Sequence, residues 1–211
     1  MSRYDELLDV AETVKGFMPR AEGLALSQHA RDVAQSRPAG TWLEIGSWCG
    51  KSAVYLGAAA ETTSCLLYSL DHHHGSEENQ RGWEYFDETL VDEHDGRLNT
   101  LPFFQRTLAL AQLERTVVAL VGHSELVAPH FAQTLDLLFI DGGHARDVAW
   151  RDYELWTPKV TLGGTLLIHD VFENPSDGGR PPYEIYLDAR ASGRFVDVAS
   201  KGSLRVLRRV A

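Results

Sequence analysis

TWLEIGSWCGKS, residues 41–52, is the stretch whose reading decides the fold. An apolar run ends in Glu44, Gly46 and Gly50 follow, and an Ala-rich helical segment begins. The pattern predicts a buried strand, a tight glycine turn and a helix N-terminus. Such a turn lets a ligand approach the backbone and its unpaired N–H groups. A phosphate-cradling loop of the G-x-x-x-x-G-K-S type needs four residues between its glycines. Gly46 and Gly50 enclose only three. A dinucleotide fingerprint needs G-x-G-x-x-G, and this turn is G-x-x-x-G. What remains is E-x-G-x-x-x-G, with a carboxylate near the strand end.

Outward from this stretch, apolar runs recur at 42–45, 65–70, 117–121, 135–140 and 165–168. Helical segments are predicted between them, at 51–60, 78–94, 99–113, 124–132 and 145–157. Two more helices, 4–18 and 22–35, precede the first strand. This alternation predicts an α/β fold with a mostly parallel sheet and helices on both faces. The strands are nearly all apolar, as a sheet covered on both faces requires. A turn-rich loop, ENPSDGGRPP, follows Phe172, and a helix is expected at 183–191. Strand-like runs at 195–199 and 204–207 flank Lys201 and Gly202. They read as a C-terminal antiparallel hairpin at the sheet edge, which brings the sheet to seven strands.

The 211 residues fit one domain, 1–211. It divides into an N-terminal helical segment (1–38), a cofactor-binding core (41–171) and an acceptor loop, helix and hairpin (172–211). Apolar residues make up 44% and the net charge is −10. That balance argues against nucleic acid, whose phosphates need a basic surface. Cys49 and Cys65 are too few for a disulfide framework and are expected to stay reduced. The acidic start MSRYDELLDVAE lacks an apolar signal core, and no run approaches the roughly 18 apolar residues of a membrane span. The expectation is a cytoplasmic protein with no membrane partner.

Ligands of open α/β sheets bind outside the carboxyl ends of the strands, so the polar residues there are the candidates. Asp71 ends the second strand. It can accept the hydroxyls of a ribose, or merely cap a loop. Three adjacent imidazoles, His72, His73 and His74, cannot all face one metal from a regular element. They are expected to line an acceptor pocket or meet the cofactor. Gly122, His123 and Ser124 follow the third strand, where Ser124 can cap the next helix. Asp141 ends LDLLFID, and His169 and Asp170 end TLLIHD. These strands should be neighbours, so their acidic ends converge. A divalent cation wants hard oxygen ligands, and a lone buried acid pair would repel. His169 is either a further ligand, which suits manganese or another transition metal, or a packed histidine. His144 follows two glycines after Asp141 and is expected to turn back toward the metal. A neutral imidazole there suits a general base.

Together these residues resemble the class I S-adenosylmethionine (SAM)-dependent, metal-dependent O-methyltransferases, the group of the catechol and macrocin-type sugar enzymes. The resemblance covers residues 41–171 and is close at LEIGSWCGKSAVYL, VGHSE and LDLLFID. It implies a Rossmann-like class I methyltransferase fold. By position, Glu44, Gly46 and Ser47 would contact the methionine part of SAM, Asp71 would hold the ribose, and His123 and Ser124 would lie on the adenine side. Trp48, Gly50, Ser52, His72, Gly122 and Asp141 complete the expected cofactor contacts. Asp141, His169 and Asp170 fall where the group binds Mg2+ or another divalent cation. Two departures stand out. His144 replaces a catalytic lysine, and His169–Asp170 replaces Asp-Asn.

The implied activity is transfer of the SAM methyl group to a hydroxyl of a small polar acceptor, a mannoside or other sugar foremost. His144 and Asp141 are the expected catalytic pair. His73, His74, Trp83, Tyr85 and Arg180 are expected to frame the acceptor, with the loop 174–182. A catechol, phenol or other natural-product acceptor is one alternative, and a non-catalytic SAM-fold binding module is another. The N-terminal helices and the terminal hairpin are expected to support a homodimer.

Overall fold

Strand β1 (Thr41–Ile45) is followed by β2 (Leu66–Asp71), β3 (Val117–Val121), β4 (Leu135–Ile140) and β5 (Val160–Ile168). The chain closes with β6 (Phe195–Lys201) and β7 (Leu204–Arg209). The seven form one sheet in the order β3-β2-β1-β4-β5-β7-β6. The first five in that order are mutually parallel. β7 runs antiparallel to both β5 and β6, which is the expected terminal hairpin. The computed structural model describes residues 1–174 and 176–211; Pro175, in the turn-rich loop, lies outside the described residues.

Alternate side chains of each inner strand feed two cores, as the twofold period of a strand dictates. Trp42, Leu67, Leu137, Phe139 and Leu167 pack under helices α1 (Arg3–Thr13), α2 (Arg20–Ser36), α3 (Lys51–Glu61) and α4 (Leu101–Ala111). Leu43, Ile45, Leu138, Ile140, Leu166 and Ile168 pack on the other face. There they meet Tyr153 and Trp156 of α6 (Arg146–Trp156) and Ile185 of α7 (Pro181–Ala191). The short α5 (Ser124–Val127) follows β3. Among the described residues, no helix is long and apolar enough to cross a membrane.

Three helix expectations change. The predicted helix 78–94 is absent; two 3-10 turns stand there, Glu77–Asn79 and Glu88–Leu90. Gly82 sits at φ +96° between them. The Asp87 and Asp92 carboxylates accept nearby backbone N–H groups and so compete with a helix. The first helix stops at Thr13 because Val14 turns extended. The helix after β3 gives way to a 3-10 turn at Ala128–His130, with Pro129 inside it.

The carboxyl ends of the strands are stitched one residue beyond the sheet. Gly122 N–H donates to Asp71, Gly46 to Leu70, Asp141 to Ile45 and His169 to Ile140. At Gly46 the chains are closest. Its φ is +89°, and a Cβ there would lie 2.1 Å from the Asp141 carbonyl oxygen. The neighbour that crowds Gly46 is the backbone of Asp141, the first residue beyond β4. Gly46→Ala therefore combines a disfavoured φ with a backbone clash. A loss of roughly 3–5 kcal/mol is expected, read as a lower urea midpoint; an unchanged midpoint would mean that this crossing is not tight.

Candidate active site

The turn after β1 is organised by Asp71 at the end of β2. Asp71 Oδ2 accepts the N–H groups of Ser47 and Trp48, each at 2.9 Å. Its Oδ1 accepts the His73 N–H at 2.7 Å. The Asp71 carboxylate thus first secures the glycine turn; Oδ2 is filled by its two N–H donors, and Oδ1 keeps one site for a further donor. Trp48 takes a positive φ of 47° within that turn, and Gly50, at φ +94°, starts α3.

Glu44 lies beneath the turn, fully buried. Ser69 Oγ donates to its Oε2, and the Ser47 and Ser69 hydroxyls are 2.6 Å apart. The Ser47 and Glu44 side chains therefore serve a buried network and support the turn from below. Glu44 Oε1 is buried without a hydrogen-bond partner among the described residues. Burial pushes the Glu44 carboxyl up to about 8, against the pull of Ser52 and Ser69.

Histidines 72–74 separate into different roles. His72 stacks on His123 across the ends of β2 and β3, with ring centroids 4.6 Å apart. His73 is buried; its Nδ1 is 2.8 Å from Thr100 Oγ1, and its ring tilts against Phe104. It is packed in the core, away from His72 and His74. His74 Nδ1 is 2.8 Å from the Leu98 carbonyl. Ser124 is the first residue of α5 and makes no side-chain cap. Its hydroxyl instead accepts the Trp156 indole N–H at 2.7 Å.

Asp141, His169 and Asp170 converge as the strand neighbours require, with one potential ligand atom from each lying within 4.8 Å of the others. His169 Nδ1 is 2.9 Å from Asp141 Oδ1 and 3.4 Å from Asp170 Oδ2. Two partners were missed by sequence reasoning. Glu22 of α2 lies 2.7 Å from His169 Nε2. Glu78 lies 3.1 Å from His144 Nδ1, while His144 Nε2 is 3.0 Å from Asp170 Oδ2. Nothing local in the sequence marks Glu22 or Glu78, since each is an ordinary helix or turn acid until the chain folds.

Burial alone would lower His144, but hydrogen bonds to Asp170 and Glu78 outweigh it and raise the imidazole to about 10. While both carboxylates pair with it, the ring favours its protonated form. His169 is likewise raised well above the ordinary range, with Asp141 overcoming its burial. Burial would raise Asp170, yet the two histidines hold it well below the usual carboxylate range. Burial pushes Asp141 up. Four carboxylates face two imidazoles, so the cluster keeps an excess of negative charge that suits a cation.

Beside it stands an exposed aromatic group. Phe17, also missed from sequence, packs edge-on to Tyr85 at 5.2 Å and against Trp48 at 5.7 Å. Trp83 and Tyr85 are 55% and 43% exposed. Glu84, burial, Glu78 and Asp170 push the Tyr85 phenol up, in line with a place near the acidic cluster. Arg180 is engaged locally; it donates to the Glu173 carbonyl at 2.8 Å and covers the Tyr183 ring.

A family model described as a methyltransferase domain matches residues 43–171. The chain belongs to that methyltransferase family. Three solved structures carry its fold. The O-methyltransferase NovP superposes with a TM-score of 0.68 at 17% identity, over 91% of this chain and 81% of its own. The O-methyltransferase from Bacillus cereus, in complex with SAH, gives 0.65 at 14% identity, over 100% and 91%. The O-methyltransferase TomG from Streptomyces achromogenes, involved in tomaymycin synthesis and solved with SAM, gives 0.65 at 13%, over 100% and 91%. At these identities the likeness concerns the fold of the methyltransferase.

The protonated Glu44 has a consequence for stability. Its folded pKa is raised from 4.5 to about 8, so the stability it contributes is full below about 4.5 and lost as pH rises through 8. Glu44→Gln stays neutral throughout. The melting temperature of the wild type should fall relative to Glu44→Gln between pH 5 and 9. Parallel curves would show that Glu44 is already ionised in the folded protein.

Proposed function

We propose that this methyltransferase moves the methyl group of S-adenosyl-L-methionine to a hydroxyl of a small polar acceptor, a sugar foremost, at a site that holds a divalent cation. The convergence of Asp141, His169 and Asp170 within 4.8 Å supports this reading most directly. The donor set fits such an ion, because two carboxylates and an imidazole are ligands for divalent metals. The carboxyl edge fits the methyl donor. It offers a positive-φ turn for close approach, Asp71 for a ribose, and the His72–His123 stack as a flat face for a purine.

Magnesium or another divalent cation would supply Lewis acidity to the acceptor hydroxyl there. The chain's own part is to orient and to take a proton. His144 is the proton acceptor, at Nε2. Glu78 accepts at Nδ1 and fixes the tautomer that leaves Nε2 facing the reaction. With Asp170 turned to hold the cation, His144 would lose the largest hydrogen bond that favours its protonated form, and Nε2 would be free to take a proton. Trp83 and Tyr85 would offer apolar ring faces to a sugar, with Phe17 extending them, and the loop carrying Arg180 would close the far side. Holding donor and acceptor in line contributes a large share of the rate.

The finer form of the proposal is 1-O-methylation of the mannoside that starts a methylmannose polysaccharide. The GSEENQRGWEYFD segment and the IDGGH and HDVF signatures resemble those of bacterial sugar or natural-product enzymes, the class to which that reaction belongs. A homodimer through the N-terminal helices and the terminal hairpin belongs to the same proposal.

Labelled SAM with short mannosides, other sugars and catechol, with EDTA or with added magnesium, tests the function. Cation-dependent transfer to a sugar hydroxyl is expected. Transfer only to catechol at neutral pH would replace the sugar with a phenol, and transfer undiminished by EDTA would remove the cation. His144→Ala should lower kcat on the order of 10²–10⁴-fold, the span of a positioned general base. A loss below tenfold would assign the proton to another acceptor.

A further inference from the structure

We propose that Glu22 is a positioning residue of the cation site, holding His169 so that Nδ1 serves as a nitrogen ligand and the site favours manganese-class transition cations over magnesium. The inference rests on the cation reading of Asp141, His169 and Asp170 given above.

Glu22 lies in the first turn of α2, far from the sheet edge in sequence, yet its side chain is buried against His169. Its Oε2 is 2.7 Å from His169 Nε2. The same oxygen accepts the Ser203 hydroxyl at 2.8 Å, and Oε1 accepts the Ser203 N–H at 3.1 Å. The carboxylate is thus clamped from the turn between β6 and β7. That turn is built to admit it. Gly202 has φ +54°, and a Cβ there would lie 2.0 Å from Glu22 Oε1.

A buried carboxylate is expensive to desolvate, and this one is placed to act on a single ring. To bind a metal the imidazole must be neutral, with a single N–H. With that proton given to Glu22 at Nε2, the Nδ1 lone pair faces Asp141 and Asp170. Metal-binding histidines are oriented in this way by an outer carboxylate, whose loss costs about 10–100-fold in metal affinity. Nitrogen donors favour first-row transition ions, whereas magnesium prefers oxygen ligands and retained water. His169 therefore determines which cation the two aspartates hold, and Glu22 determines whether His169 can do so.

Calorimetric titration of the full chain with Mn2+ and with Mg2+ tests this, alongside pulsed EPR of the Mn2+-loaded protein. The wild type should bind Mn2+ at least about tenfold more tightly than Mg2+ and show imidazole nitrogen coupling to Mn2+. Glu22→Gln should weaken Mn2+ about 10–100-fold, change Mg2+ much less, and leave SAH binding unaltered. Ser203→Ala, which frees the carboxylate without removing it, should shift Mn2+ affinity in the same direction. A cooperative thermal transition in each variant separates these effects from misfolding. Unchanged Mn2+ affinity in Glu22→Gln, or Mn2+ bound without nitrogen coupling, would overturn the role of Glu22 and His169. If Asp141→Asn still abolishes binding in that case, the cation site itself stands. No binding of either cation by the wild type would remove both readings.

Discussion

The ligand-facing edge depends on one backbone constraint, the approach of Gly46 to the Asp141 carbonyl. β1 and β4 are parallel neighbours in register from Trp42–Leu137 to Ile45–Ile140. That register places the glycine turn and Asp141 side by side at the carboxyl ends. A one-residue slip would turn Asp141 to the opposite face. Because residue 46 carries no side chain, the donor-side turn and the acidic cluster occupy adjoining ground instead of being held apart.

Charge compensation then ties distant segments to that edge. His169 bridges Asp141 on one side and Glu22 on the other. His144 bridges Asp170 and Glu78. Buried ion pairs of this kind rarely add net stability, since desolvation offsets much of their attraction. Their better-supported use is to hold geometry. Here each imidazole has a glutamate behind it and an aspartate before it, so both rings have their far nitrogen held and their near nitrogen aimed at the same spot.

Much of the fold was legible in the sequence. The five parallel strands could be read because each carries an apolar run closed by a polar or glycine residue, and the last two because strand-like pieces flank Lys201 and Gly202. The helix expected at 78–94 failed because spacing of apolar residues is blind to Gly82 and to aspartates that capture backbone N–H groups. At the site, the ligand-type residues at the ends of β4 and β5 were legible from chain position alone. Their protonation was not. His144 has the spacing of a base, but while it pairs with Asp170 and Glu78 those two carboxylates favour its protonated form. His73 has the chemistry of a pocket residue, but its positive φ turns it into the core.

The sequence by itself determined which residues end each strand and which faces are apolar. These are local properties, set by side-chain alternation over a few residues. Only the tertiary structure decided what those residues touch. The Glu78–His144 contact spans 66 positions and the Glu22–His169 contact 147. A titratable group takes its charge from neighbours within a few ångströms, and no pattern along the chain encodes neighbours that far apart.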